Sequence, residues 1–233
     1  MTPNQQLIYN KCDNELSLGT AKLSDEYYYD SIPQCIIDAV YSIGVRYAGT
    51  KNAVKNYCQN KKVTRISNPL GNQSDAHTVN DLLSNMQPYV AEDYGASSLF
   101  VNKCKTSTKN GILKAEAVYK FATTLKNNGI QTLSEIRRAD YDKISKIENE
   151  IKTIPGQRSG ISFSYFLMLS GDDNHMKIDR WLLRFVGAAL GINNYNNVKQ
   201  AYSDLLVVCN ELKKIYPNLT PRLLDHTIWS YMK

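Results

Sequence analysis

Ile144, Ile147, Ile151 and Ile154 recur at steps of three and four, the spacing that lines one face of an α-helix, and the run ends directly on Pro155-Gly156. The residues between them are rich in Lys and Glu, so this segment has one buried face, one solvated face and an enforced stop. Cap-then-apolar patterns of the same kind recur along the chain. Ser31-Ile32-Pro33 precedes the mostly apolar run Cys35 to Val45, and Thr50 is placed to cap a helix over Lys51 to Gln59. Residues 68–74 read as a loop that ends where Thr78 starts another helix. Ile112, Leu113, Ala117, Val118, Phe121 and Leu125 fall on helical spacing before Asn127-Asn128-Gly129, and Thr132-Leu133-Ser134-Glu135 resembles a capping box. Helices are also expected over Ile161 to Leu169, Arg180 to Leu190, Leu205 to Ile215 and Pro221 to Tyr231. Alternating strand patterns are scarce, so the expected fold class is all-α.

The chain has 233 residues, enough for one sizeable domain or for two small lobes, and 42% hydrophobic with 21% charged residues is ordinary for a globular protein. No stretch approaches the roughly 18 to 20 apolar residues needed to cross a bilayer, and the first residues lack a basic-then-apolar leader. A cytoplasmic protein with no membrane partner is the expectation, nucleoid-associated if prokaryotic. The five cysteines, Cys12, Cys35, Cys58, Cys104 and Cys209, are scattered, without a CxxC pair or the clustered spacing of an iron–sulfur site. Neither a disulfide framework nor a zinc or iron–sulfur cofactor is expected. The formal net charge of +6 is unevenly spread: residues 103–126 hold Lys103, Lys105, Lys109, Lys114, Lys120 and Lys126 against one acid, Glu116. A polyanionic partner and a merely solvated lysine-rich surface both fit that segment.

The most informative stretch is Ile151 to Phe185, IKTIPGQRSGISFSYFLMLSGDDNHMKIDRWLLRF. It reads as helix, tight glycine-containing turn, buried helix, loop, and an aspartate opening a further helix. Gly156 and Gly160 lack Cβ, so backbone N–H groups there can approach a phosphate closely, and a helix N-terminus beyond adds a favourable dipole. Contacts of this kind hold DNA without reading its sequence.

This order and spacing resembles the helix-hairpin-helix and Gly/Pro-Asp module of base-excision DNA glycosylases, in which a leucine-proline-glycine hairpin is followed by the catalytic aspartate. The matching residues are Ile154-Pro155-Gly156 and Asp179. Upstream, Asp38 to Tyr47 looks like the family's early buried helix and Asn110-Gly111-Ile112-Leu113-Lys114-Ala115 like its glycine-lysine-alanine helix start. The resemblance extends loosely over residues 31–190. It implies two helical lobes with a DNA-binding cleft between them, one built from about residues 112–190 and carrying the hairpin, the other from the remaining terminal helices.

The resemblance also implies a monofunctional DNA glycosylase that hydrolyses the N-glycosidic bond of a damaged or modified base flipped from duplex DNA. Asp179 is then the catalytic carboxylate, stabilising an oxocarbenium-like sugar or orienting the attacking water. Gly156, Gln157, Arg158, Ser159, Gly160, Lys177 and Arg180 are the candidate phosphate contacts, with Arg184 one turn beyond Arg180. Tyr165, Trp181 and Tyr41 are candidates for a base pocket. A monovalent cation at the hairpin is compatible with the family, and no protein partner can be inferred. On its own, an aspartate before Arg-Trp-Leu-Leu-Arg-Phe is an ordinary helix N-cap. Asp38, Asp172 and Asp173 are weaker candidates. Gly160 stands where bifunctional members carry a Schiff-base lysine, so strand cleavage is not expected. The turn is Gly156-Gln157-Arg158-Ser159-Gly160 rather than glycine-x-glycine, and Gly44 lies near the place where some relatives carry a polar wedge. A catalytically inactive DNA-binding protein, a factor acting against modified foreign DNA, and a helical protein-interaction domain remain open alternatives.

Overall fold

The computed structural model describes residues 1–45, 47–67 and 73–233. In chain order its α-helices are α1 (Pro3–Glu15), α2 (Ile32–Tyr41), α3 (Tyr47–Lys61), α4 (Val79–Met86), α5 (Lys114–Asn127), α6 (Leu133–Arg138), α7 (Tyr141–Ile151), α8 (Ile161–Leu169), α9 (Arg180–Leu190), α10 (Val198–Leu212) and α11 (Pro221–Met232). Two isolated antiparallel bridges, Tyr29 with Ile66 and Lys105 with Leu113, are the β pairing among the described residues. The chain is all-α. Its contacts divide it into two compact units, residues 25–171 and residues 1–24 with 172–233. Residues 112–171 thus belong with 25–111, and 172–190 with the two chain termini.

In the unit of residues 25–171, α2 is the central element, with all ten of its residues buried against α3, α4, α5 and α8. Its sequence, IPQCIIDAVY, is apolar nearly all round, as a fully enclosed helix must be. The helix ends at Tyr41 rather than continuing to Val45. Beyond it Gly44 adopts φ +69°, and the ammonium of the buried Lys114 donates to the Tyr41 and Ile43 carbonyls at 2.8 and 2.6 Å. These two bonds satisfy carbonyls that the helix end leaves open, with a cation placed at the negative pole of the dipole. Lys114 is therefore an internal strut, removed from the basic surface that its sequence position suggests.

Thr132 closes a capping box with Glu135, as its spacing predicts, and Thr78, expected only to start a helix, closes one with Asp81 as well. Thr50 does not cap α3, which begins three residues earlier and holds Thr50 buried inside it. Ile112 and Leu113 lie before α5, where Leu113 bridges Lys105. Most of the loop expected at 68–74 lies outside the described residues.

In the other unit α1, α9, α10 and α11 pack around Ile8, Phe185, Leu205, Val208, Leu224 and Ile228. Gln5 on α1 donates to Asp204 on α10 at 2.8 Å, and Thr2 with Gln5 forms a capping box that sequence reading passed over. α10 starts at Val198, well before the expected Leu205, with Asn197 as its cap. No helix among the described residues is long and apolar enough to cross a membrane.

Candidate functional site

The isoleucine-faced α7 and the apolar α8 are joined by residues 152–160. Ile147, Ile151 and Ile154 are buried and hold one side of this turn, while Pro155, Gly156, Arg158 and Ser159 are exposed. Gly156 takes φ +86° and Gly160 φ +74°, both left-handed values that favour glycine. The turn folds on itself through Gln157 N–H to the Ile154 carbonyl at 2.9 Å and Gly160 N–H to the Gln157 carbonyl at 3.1 Å. Among the described residues no protein acceptor meets the backbone N–H of Gly156, Arg158 or Ser159. α8 begins without a side-chain cap, Ser159 Oγ only accepting the Ile161 N–H at 3.4 Å. Exposed amides next to a helix N-terminus form a setting that favours an anion.

A second segment abuts this turn. A Cβ built on Gly156 would lie 2.4 Å from Thr106 Cβ and 2.6 Å from its Oγ1, so the Gly156 backbone is pressed against the loop that precedes α5. That loop is itself tightly built: Thr106 N–H meets the Ile112 carbonyl, Lys114 N–H meets the Cys104 carbonyl, both at 2.9 Å, and Ser107 Oγ donates to the Lys109 carbonyl at 2.7 Å. Lys103, Lys105 and Lys109 project from it, exposed and without an ion pair among the described residues. By contrast Lys120 is paired with Glu116 at 2.9 Å. The turn and the lysine loop thus form one continuous basic feature. Beneath it lie side-chain atoms with no hydrogen-bond partner: both polar atoms of the buried Gln157, Ser162 Oγ and Thr106 Oγ1.

In the other unit, Asp179 is the N-cap of α9 and its Oδ1 accepts the Trp181 N–H at 2.8 Å. Its second oxygen has no protein partner among the described residues, and the residue is half-buried. A carboxylate that caps with one oxygen leaves the other for solvent or ligand. Sequence reading missed the group behind it. Asp225 on α11 is buried and its Oδ2 accepts the Lys177 N–H at 2.6 Å, fixing the segment that leads into Asp179. Burial pushes the Asp225 carboxyl up to about 8, opposed by the Lys177 N–H and reinforced by the neighbouring charge of Asp179. The same approach is pinned by Arg222, whose backbone N–H meets the Asp173 carbonyl at 3.0 Å and whose guanidinium meets the Asp173 carboxylate at 3.2 Å.

Trp181, half-buried, lies under the guanidiniums of both Arg180 and Arg184, each 5.1 Å from its ring centroid. Tyr41 is wholly buried at the end of α2, 5.4 Å from the Phe100 ring, and so is part of the core. Tyr165 is buried in α8 beside a polar cluster in which Tyr29 donates to the Asp38 carboxyl at 2.8 Å. Burial first, and Asp38 next, raise the hydroxyl pKa values of Tyr29, Tyr47 and Tyr165 well above the ordinary tyrosine range. Asp38 is thereby a core residue of its unit. Gly160 is buried, and a side chain there would meet Lys152 and Glu148, which form an ion pair at 2.5 Å.

Over residues 6–233 the chain matches the family described as Domain of unknown function (DUF8548), and it belongs to that family. No curated protein and no solved structure matches it.

Proposed function

We propose that this chain is a DNA-binding protein of helix-hairpin-helix glycosylase type that removes a flipped base by hydrolysis. The observation that supports the reading best is the close packing of Gly156 on Thr106. It joins two features that are separate in the sequence, the exposed amides of residues 156–159 and the cations of Lys103, Lys105 and Lys109. A phosphodiester would take N–H donors from the turn and long-range attraction from the lysines, with Arg158 adding a forked donor. Nothing in this set reads a base. If a monovalent cation sits at the turn, the unpartnered oxygens of Gln157 and Ser162 suit it as hard neutral donors.

Asp179 supplies the chemistry in this reading. Its uncapped oxygen stabilises the positive charge that grows on the sugar as the N-glycosidic bond lengthens, and holds the water that attacks the same carbon. The cap bond to Trp181 N–H keeps the carboxylate fixed, so little reorganisation accompanies charge development. Asp225, protonated at neutral pH, holds the approach segment without a second negative charge beside Asp179. No lysine stands at Gly160, so the product is an abasic site in an unbroken strand.

Duplex affinity measured across a salt series tests the supporting observation. Each neutralised phosphate steepens the fall of log K with log salt by about 0.9. Replacing Lys103, Lys105 and Lys109 together by Gln is expected to weaken binding and flatten that slope by about 2 to 3. An unchanged slope would remove the lysine loop from the interface.

A further inference from the structure

A second feature lies on the exposed face of α9, in the unit that contains Asp179. Gly187 lets the following loop cross the helix closely: a Cβ there would lie 2.7 Å from the Ile192 carbonyl oxygen and 2.9 Å from Tyr195 Cβ. Ile192 N–H bonds the Gly187 carbonyl at 2.8 Å, and Gly191 ends the helix at φ +68°. The result is a groove of about 570 Å³ along α9. Its lining combines the apolar Leu183, Ala188 and Ile192 with Asn193, the half-buried Tyr195 and the two cations Arg180 and Arg184. The two arginines are one helical turn apart, ~6 Å along the axis. Both are exposed, and neither forms an ion pair among the described residues. Their shared contact with the Trp181 ring holds them in place without neutralising them. Asp204, the acid that acts on Tyr195, is buried and already accepts from Gln5 and Gln200 at 2.8 and 3.0 Å.

A ligand that engages both arginines and the Tyr195 ring is anionic at regular intervals and carries flat, apolar, edge-polar groups. A nucleic-acid strand has that pattern, with phosphates for the arginines, a base face for Tyr195 and base edges for the side-chain amide. An acidic peptide offers the charge without the flat rings. We infer that the α9 groove holds a single strand of DNA running from Asp179, with consecutive phosphates on Arg180 and Arg184 and a base stacked on Tyr195. The inference rests on the reading that the chain binds DNA, and it does not depend on base excision.

The test is fluorescence anisotropy of the intact chain with a labelled single-stranded oligonucleotide and with an equally long base-free phosphodiester chain, each over a salt series. Replacing Arg180 and Arg184 together by Gln is expected to weaken both probes and flatten the salt slope by about 1.4, at ~0.7 per phosphate of a single strand. Tyr195→Ala is expected to lose roughly 5- to 100-fold on the base-bearing probe and nothing on the base-free one, with Tyr195→Phe like wild type. The groove is ruled out if the arginine variant keeps the wild-type slope, if Tyr195→Ala weakens both probes equally, or if polyglutamate displaces DNA at equal charge. Lysine-dependent duplex binding alongside unaffected groove variants defeats this inference alone. Absence of any oligonucleotide binding defeats the DNA reading with it.

Discussion

Asp179 and Asp225 show how differently two aspartates of one site are written into a chain. Asp179 precedes a run of helix formers with strong apolar periodicity, so its capping role follows from neighbours in sequence, and α9 begins where that pattern says it should. Asp225 sits within α11, and nothing local marks it. Its environment is made by the segment around Lys177, 48 positions away, folding onto it. The consequence is measurable without any substrate. An unfolded Asp titrates near 3.9 and the folded Asp225 near 8, so between those values the folded state binds the extra proton. Stability contributed by that proton is full at low pH and declines as pH rises from about 4 to about 8. Asn at 225 keeps an acceptor for the Lys177 N–H and does not titrate. Relative to wild type, Asp225→Asn is expected to gain several degrees in Tm at pH 8 and little at pH 4. Parallel Tm curves for the two proteins would show that Asp225 is ionised throughout.

Elements were legible where caps and periodicity agree. α8 and α9 have the expected bounds, Thr78 starts α4 as expected, and Thr132 closes the box its spacing implies. The misread starts of α3 and α10 have a common physical cause. Thr50 looks like a cap by composition, but tertiary burial places it inside α3, and α10 extends back over residues 198–204, whose apolar signal is weak. The turn at 152–160 was legible as a stop, whereas its neighbour was not. Only packing brings Thr106, fifty positions upstream, against Gly156. Gly156→Ala tests that junction. The positive φ alone costs about 1–2 kcal/mol with a side chain present, and the 2.4 Å approach to Thr106 Cβ forces the lysine loop outward. A Tm decrease with a loss of duplex affinity beyond that of the lysine variant is expected. Affinity equal to wild type in the folded variant would separate the loop from the turn. Gly160→Ala meets only the flexible ends of Lys152 and Glu148, so it is expected to be milder.

At the scale of the molecule, periodicity conveyed an all-helical chain and composition its excess positive charge, and the structure sorts that charge by environment. Lys114 is held inside α2's end and Lys120 is paired, whereas Lys103, Lys105 and Lys109 on the loop before α5 and Arg180 and Arg184 on α9 are among the cations left exposed without an ion pair among the described residues. Charge sorting of this kind is invisible to a net value of +6, because it depends on which ammonium groups find carbonyls or carboxylates in the fold. The division into residues 25–171 and the joined termini was equally hidden, since it rests on α1 packing with α9 and α10 across most of the sequence. Base excision by Asp179, as proposed, is open to direct test. Its most direct measurement is single-turnover base release from a panel of damaged, mismatched and hypermodified duplexes, comparing wild type with Asp179→Asn. Release from at least one duplex is expected, with an unbroken abasic strand as product and a rate at least ~100-fold lower in the variant, the scale of a lost acid–base or electrostatic group. Release by Asp179→Asn at the wild-type rate, or no release from any duplex that the wild-type chain binds, would contradict it.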